Sequence, residues 1–300
     1  MISQEQIDIL KEQIAIADAI VVGGASGMSA ASGFKFYYQH DEVFQMIAGN
    51  LEKKYGFYNF FDGLYDPHHT LEEHWAMLIR LSHYIHYCDT GETYKDLAAL
   101  LEGKNYYIVT TNQDAQFYRV FDANKITRIQ GDWRYWQCKK RCHDQIYDNK
   151  EQTLELSKYI EADKLTDALI PRCPKCGGYM DAWIRSRNFL EGNYYQQEMK
   201  LYYDFIEQHA GDRILFLELG VGLMTPMFIK KPFISMVYQL PNAFYATLNP
   251  QHAIVPEIIT SKGLALSDDI SIILKQLLNK PIDPVDHFDS EKIFNPSRVY

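Results

Sequence analysis

The sequence predicts an α/β fold: a doubly wound parallel sheet with a second, smaller domain attached. Three observations predict it. Short apolar runs alternate with helical patterns along much of the chain, the arrangement that builds a parallel sheet covered by helices. Two long insertions, roughly residues 40–93 and 138–178, interrupt that alternation. Four of the 5 cysteines fall in the second insertion as two close pairs.

Each element has a local cause. Ser3 and Gln6 make a capping box, and Ile7, Leu10 and Ile14 share one helical face, so a helix should end near Asp18. The apolar run AIVVGG follows at once. Further runs repeat the plan: YYIVTT (106–111), ITRIQG (126–131), ILFLELG (214–220) and FYATLN (244–249). Between the first two of these five runs, KDLAALLEG reads as a helix with Gly103 as its C-terminal cap. The first insertion is aromatic-rich and mostly helical. There Thr70 and Glu73 cap a helix on which Leu71, Trp75, Leu78 and Ile85 form an apolar stripe. From Lys280 onward, Pro281, Pro284 and Pro296 mark an irregular segment expected to lie over the surface.

Composition bounds the function. A chain of 300 residues, 47% hydrophobic, can bury a substantial core. Its net charge of −9 argues against nonspecific nucleic-acid binding and against a polybasic membrane patch. The opening MISQEQIDILKEQIAIADAI lacks the basic start and apolar centre of a signal peptide, and no apolar run is long enough to cross a bilayer. A cytoplasmic protein with no nucleic-acid or membrane partner is expected, and its cysteines point away from disulfides.

The most specific local signal is Cys138-x3-Cys142, thirty residues, then Cys173-x2-Cys176. Four thiolates in two close pairs make a closed tetrahedral zinc site, structural rather than catalytic because no position stays open for water. Free thiols and an iron–sulfur cluster are the competing readings. His68, His69 and Glu73 lack a third partner at ligand spacing, and Cys88, His83 and His86 read as solvated or core side chains.

The stretch VVGGASGMSAASGF (21–34) runs an apolar strand into a loop of Gly, Ala and Ser. Such a loop lets a ligand approach the backbone. It has no Gly-Lys-Ser/Thr ending and does not match G-x-G-x-x-G, so a tight strand-to-helix turn is the alternative. In an open parallel sheet, ligands bind beyond the carboxyl ends of the strands. There the five runs deliver Gly24 to Gly33, then Asn112 and Asp114, Gln130-Gly131-Asp132, Gly220-Val221-Gly222 with Thr225, and Asn249. Small residues, amides and carboxylates converging on one edge suit a ligand with phosphates, ribose hydroxyls and a carboxamide.

With these residues in place the sequence resembles the sirtuin family over nearly its whole length. GASGMSAASG stands where sirtuins have Gly-Ala-Gly-x-Ser, VTTNQD where they have Thr-Gln-Asn-x-Asp, and IQGDW at the His-Gly pair. The four-cysteine module follows, and LGVGLMTP and TLNP correspond to the Gly-Thr-Ser and Ile-Asn segments. The resemblance implies a Rossmann-like domain (1–40, 94–137 and 205–300) and a small domain made of the helical insert (41–93) and a zinc module (138–204). It implies NAD in the cleft between them. Gly24, Ala25, Ser26, Gly27, Met28 and Ser29 would then lie along the pyrophosphate, with Thr111 beside them. Gly220, Val221, Gly222, Thr225 and Asn249 would hold the adenosine half.

The departures decide the expected chemistry. Sirtuin deacylases use a histidine as general base where this chain has Gln130, and an amide accepts no proton near neutral pH. The deacylase arginine after the first loop is missing, with Phe36, Tyr37 and Tyr38 in its region, and MDAWIRSRNFLEG replaces the peptide-clamping strand. These changes, with IQGDW-x-x-WQC and LELGVG-x-x-TPMFIKKPF, are similar to the macrodomain-associated branch, class M, whose members are protein ADP-ribosyltransferases. By that resemblance Asn112 contacts the nicotinamide ribose, Asp114 the carboxamide and Gln130 the ribose hydroxyls. Arg185 faces the acceptor or is a solvated surface arginine. The implied partners are NAD, a protein acceptor such as a lipoylated carrier, and a macrodomain hydrolase. Deacylation, NAD hydrolysis and non-catalytic NAD sensing are the alternatives.

Overall fold

The computed structural model describes residues 2–282. In chain order it contains α1 (Gln4–Ile16), β1 (Ala19–Gly24), α2 (Ser26–Ala31), α3 (Glu42–Ala48), α4 (Leu51–Tyr55), α5 (Phe60–Leu64), α6 (Leu71–Tyr87) and α7 (Glu92–Leu100). Then come β2 (Tyr106–Thr110), β3 (Ile126–Arg128), β4 (Gly131–Cys138), β5 (Ile146–Asp148), α8 (Lys150–Leu156), β6 (Met180–Ile184) and α9 (Asn193–Gln208). The chain closes with β7 (Ile214–Leu219), α10 (Lys230–Gln239), β8 (Phe244–Leu248), β9 (Gly263–Leu266) and α11 (Ile270–Leu277). Both expected capping boxes form, at Ser3/Gln6 and Thr70/Glu73. Of the proline-marked tail, Pro284 and Pro296 lie outside the described residues.

The large sheet has the order β3-β2-β1-β7-β8-β9 with every pair parallel. Strand β1 is buried throughout because both its faces are covered. Ile20 and Val22 point to a layer that includes Ile7, Leu10, Leu97 and Ile273, while Ala19 and Val21 point to one with Tyr202, Ile206, Phe233 and Val237. The edge strand β9 is not among the runs read from the sequence. It is Gly-Leu-Ala-Leu, apolar but only four residues long and mostly half-buried, too short a run to stand out in the sequence.

The two insertions share one core. Phe34, Phe36, Phe44, Phe60 and Trp75 pack in it with Trp133, Trp136, Leu165 and Met180. Trp75 meets Trp136 edge-on at 5.4 Å, and Phe60 meets Trp133 at 5.7 Å. Helix α6 is buried well beyond its apolar stripe: Ala76, Met77, Ile79, Leu81 and Ser82 are also inside, because α3, α8 and β4 pack around it. The small antiparallel sheet, order β5-β4-β6, carries the four cysteines at its end. The boundary expected between residues 204 and 205 falls inside α9, whose Tyr202 and Ile206 pack on the large sheet.

Candidate active site

The strand order reverses between β1 and β7, since β2 lies beyond one and β8 beyond the other. A crevice opens outside the carboxyl ends of strands at such a switch point. Gly24 ends β1 opposite Leu219 of β7; the expected Gly-Ala-Ser loop is a tight turn at Ala25 into α2, so residues 24–29 and the loop 220–225 leave the sheet side by side. They are tied by Ala25 N–H donating to Leu219 O at 3.0 Å and Gly27 N–H donating to Gly220 O at 3.1 Å. A Cβ on Gly27 would stand 2.6 Å from the Gly220 Cα, and Gly220 itself has φ +68°. Gly24 is likewise required by packing, because a Cβ there would sit 2.5 Å from the Phe117 ring. Much of the glycine content thus serves the contact of one loop with the other and with the core. Gly222 is different: nothing lies within 4 Å of its added Cβ. Met28 and Ser29 are buried, and Ser26 and Gly27 keep some surface.

Strand β2 delivers the densest polar group. Thr110 Oγ1 donates to Gly24 O at 2.9 Å and accepts from Asn112 N–H at 2.9 Å, while Thr111 N–H donates to Gly24 O at 3.0 Å. Asn112 Nδ2 donates to Ala25 O at 3.0 Å and to the Tyr94 hydroxyl at 3.1 Å. Ser29 Oγ donates to Asp114 Oδ2, and Tyr94 and Ser29 hydroxyls lie 3.2 Å apart. The proton inventory fixes the direction of this chain. An amide donates at one end and a carboxylate accepts at the other, so Tyr94 donates to Ser29. Asp114 is 1% exposed, and burial pushes its carboxyl above the ordinary value of 3.8 although Ser29 and the Gln116 N–H pull it down. Ala115, which follows, has φ +60°, left-handed backbone that a non-glycine residue seldom takes.

Gln130 sits on the link between the two sheets, with β3 ending at Arg128 and β4 starting at Gly131. Its carbonyl accepts from Arg185 N–H at 2.9 Å and from Gln113 Nε2 at 2.9 Å. Gly131 has φ +84°, and a Cβ on it would stand 2.9 Å from the Phe189 ring. Under the link, Asp132 accepts from Arg128 NH1 (3.2 Å) and Arg134 NH2 (2.6 Å), and Glu198 of α9 accepts from Arg128 NH2 (2.6 Å). The two arginines hold the Asp132 carboxyl below its usual range despite burial. Asp132 therefore acts as a buried anchor for the link that presents Gln130.

On the other side, Val221 is buried, and Gly222 and Thr225 are partly open. Asn249 is committed to loop building: its Nδ2 donates to Val221 O at 3.1 Å, and its Oδ1 accepts from Gln251 and His252 N–H groups. Beneath these loops Glu218, fully buried, accepts from Lys230 Nζ (2.5 Å), Tyr245 (2.8 Å) and Thr247 (2.8 Å). Arg185 is neither free nor remote. Its Nε donates to Ile129 O at 3.0 Å, NH1 pairs with Glu191 at 2.6 Å, and NH2 reaches Tyr195 at 2.9 Å. Tyr94, Gln116 and Glu218 are missing from the residues singled out in the sequence. A lone Glu inside the apolar ILFLEL offered a signal; Tyr94 in a helical pattern offered none.

The four cysteine sulfurs all lie within 4.8 Å of one another, with Cys138–Cys176 at 3.7 Å and Cys142–Cys173 at 3.6 Å. A tetrahedron with metal–sulfur bonds of ~2.3 Å has edges of ~3.8 Å, so the cluster fits a structural zinc ion. The cluster closes the far end of β4, whose first residue follows Gln130.

Structure comparison places the fold among sirtuins. A chain solved for the structural basis of sirtuin substrate affinity matches with TM-score 0.59 at 15% identity, covering 93% of this chain and 99% of that one. A Sir2 homologue solved with NAD matches with TM-score 0.55 at 14% identity, covering 91% and 92%. In sequence, the chain is 33% identical over 279 residues to a protein ADP-ribosyltransferase of Staphylococcus aureus (strain Mu50 / ATCC 700699), spanning 91% of this chain and 87% of that protein. The chain belongs to the sirtuin-type protein ADP-ribosyltransferases. A second relative, a probable bifunctional ADP-ribose hydrolase/ADP-ribosyltransferase of Fusarium oxysporum f. sp. cubense, is 25% identical over 240 residues, 76% of this chain and 40% of that protein. No family model matches. In this sirtuin-type transferase, Phe36 and Tyr37 are buried and stacked at 4.3 Å, while Tyr38 stays exposed. No helix among the described residues is long and apolar enough to cross a membrane.

Proposed function

We propose that this NAD-dependent ADP-ribosyltransferase binds NAD at the β1/β7 switch point and transfers ADP-ribose to a protein nucleophile. The turn into α2 (24–29) and the loop 220–225, with Thr111, would carry the pyrophosphate and adenosine half, and Asn249 would act through the Val221 carbonyl it holds. Asn112 spends both amide protons on Ala25 and Tyr94, which leaves its Oδ1 to accept from a ribose hydroxyl. Asp114, at the end of the Tyr94–Ser29 chain, would face the nicotinamide carboxamide. In the step itself the C1′–nitrogen bond breaks, its electron pair leaves with nicotinamide, and the acceptor's lone pair bonds to C1′. A carboxylate acceptor is already deprotonated, so the enzyme need supply no strong base.

The single observation that carries transfer over deacylation is Gln130. Its carbonyl oxygen is held by two donors, which fixes the link, and an amide side chain hydrogen-bonds a ribose hydroxyl without taking its proton. The acceptor is proposed to be a protein such as a lipoylated carrier, and a macrodomain hydrolase to be the partner that reverses the mark. The name of the Fusarium relative, which joins a hydrolase and a transferase in one chain, supports the second. Four thiolates kept for a metal also suit a reducing compartment such as the cytoplasm.

The test uses purified protein, NAD labelled on its adenosine side, and lysate of the source cells. Label retained on a discrete protein, and reduced about a hundredfold or more by Asn112→Ala, is the expected outcome. Free labelled ADP-ribose without labelled protein would assign hydrolysis instead, and binding without nicotinamide release would assign a sensor.

A further inference from the structure

A groove of about 650 Å³ opens beside the link that carries Gln130. Four cations line it, Lys140, Arg141, Arg185 and Arg187, against one carboxylate, Glu191. Glu191 is taken up by Arg185 at 2.6 Å. Lys140, Arg141 and Arg187 are exposed and have no carboxylate within 4.0 Å among the described residues. In a chain of net charge −9, three unpaired cations in one groove form a local reversal of sign. Such a reversal selects partners and guides their approach.

The groove is built rather than incidental. Its floor is Phe189, buried and stacked on Trp183 at 5.4 Å. One wall is the loop after β6. The other is the turn of the first cysteine pair, where Arg141 has φ +50° and its N–H donates to Cys138 O at 2.8 Å. The metal-binding turn thus sets where Arg141 stands. At its inner end Arg185 donates its N–H to Gln130 O and lies 5.6 Å from the Phe228 ring, beside the loop that follows β7. The groove therefore leads from the outer face of the cysteine module to the residue that faces the reacting ribose in the proposed function.

We propose that this groove docks an acidic segment of the acceptor protein, its carboxylates pairing with Lys140, Arg141 and Arg187 while the modified side chain reaches past Arg185. The proposal rests on the transferase reading. Carboxylate is the fitting chemistry because two of the three free cations are guanidinium forks that take it bidentately. A nucleic acid fits less well: affinity for it grows with the number of phosphates neutralised, and the remaining surface of this acidic chain repels them.

The probe is a fluorescent ten-residue peptide of Glu and Gly, compared with its Gln counterpart and a single-stranded oligonucleotide of similar length. Anisotropy should show the Glu peptide binding, weakening several-fold between roughly 50 and 200 mM salt. Lys140→Glu combined with Arg187→Glu should weaken it at least about tenfold. The denaturation-midpoint shift given by ADP-ribose should be unchanged, because neither residue lies in segments 24–29 or 220–225. Equal binding by the double variant, equal binding of the Gln peptide, or tighter binding of the oligonucleotide overturns the proposal. Absence of nicotinamide release by the parent enzyme given NAD and source-cell lysate would instead overturn the transferase reading, and the peptide result would stand apart from it.

Discussion

Asp114 shows how one residue can be unfavourable for folding and required by the site. Its carboxyl is buried among Ser29, Tyr94 and Gln116, and burial raises its proton affinity in the folded chain. The folded state therefore binds that proton more tightly than the unfolded one. The group's contribution is fully present below the unfolded value and lost as pH rises through the folded value. Near pH 7 the ionised form is a cost. Asp114→Asn keeps the shape, and Ser29 Oγ can turn to accept from the new amide. The variant should melt at or above the parent near pH 7, with the difference shrinking toward pH 4. Nicotinamide release should fall about a hundredfold, the loss expected when an orienting contact goes. Thermal midpoints across pH, read beside turnover, check both. A variant less stable at every pH would mean that the carboxylate is structural. The motif TTNQD was legible in the sequence; its partners Tyr94 and Ser29 were not joined to it, because hydrogen bonds across 18 and 85 residues leave no local pattern.

At the scale of elements, β4 connects chemistry to metal. Its first residue follows Gln130 and its last is the ligand Cys138, while Asp132 and Arg134 near its start join Arg128 and Glu198 in a buried ion network. The cysteine spacing identified the metal module, since close pairs are a sequence-local feature. The network was not legible: Glu198 is on α9, seventy residues from Arg128, and an isolated charge in a helical pattern reads as surface. Cys173→Ser or removal of metal by a chelator should release the turn at Cys138–Cys142 and loosen the far end of β4. Turnover should drop at least about tenfold, with loss of near-ultraviolet signal from Trp133, Trp136 and Trp183. The large sheet has its own two-faced core, so NAD affinity should change far less than turnover. Full activity in metal-free protein would detach the module from the site.

For the molecule as a whole, the doubly wound parallel sheet with its four-cysteine module was readable because the sheet announces itself in apolar runs, each ending in a polar or glycine segment. What escaped is the adjacency of those ends. The close approach of Gly27 to Gly220 joins loops nearly two hundred residues apart, and only the strand order β2-β1-β7-β8 brings them together. That adjacency makes a quantitative demand on ligand binding. A molecule that spans both loops stabilises only the folded chain, by about 2.7 kcal/mol at one hundred times its Kd. ADP-ribose, which keeps the pyrophosphate and adenosine, should therefore raise the denaturation midpoint about as much as NAD at equal saturation. Nicotinamide alone should add little. Gly27→Ala presses a methyl into the Gly220 backbone and should abolish the shift from both nucleotides while leaving a folded protein of lower midpoint. Equal stabilisation by nicotinamide, or an undiminished shift in Gly27→Ala, would move the binding site away from the switch point, because among the described residues no other pair of strand ends in the large sheet meets where its strand order reverses.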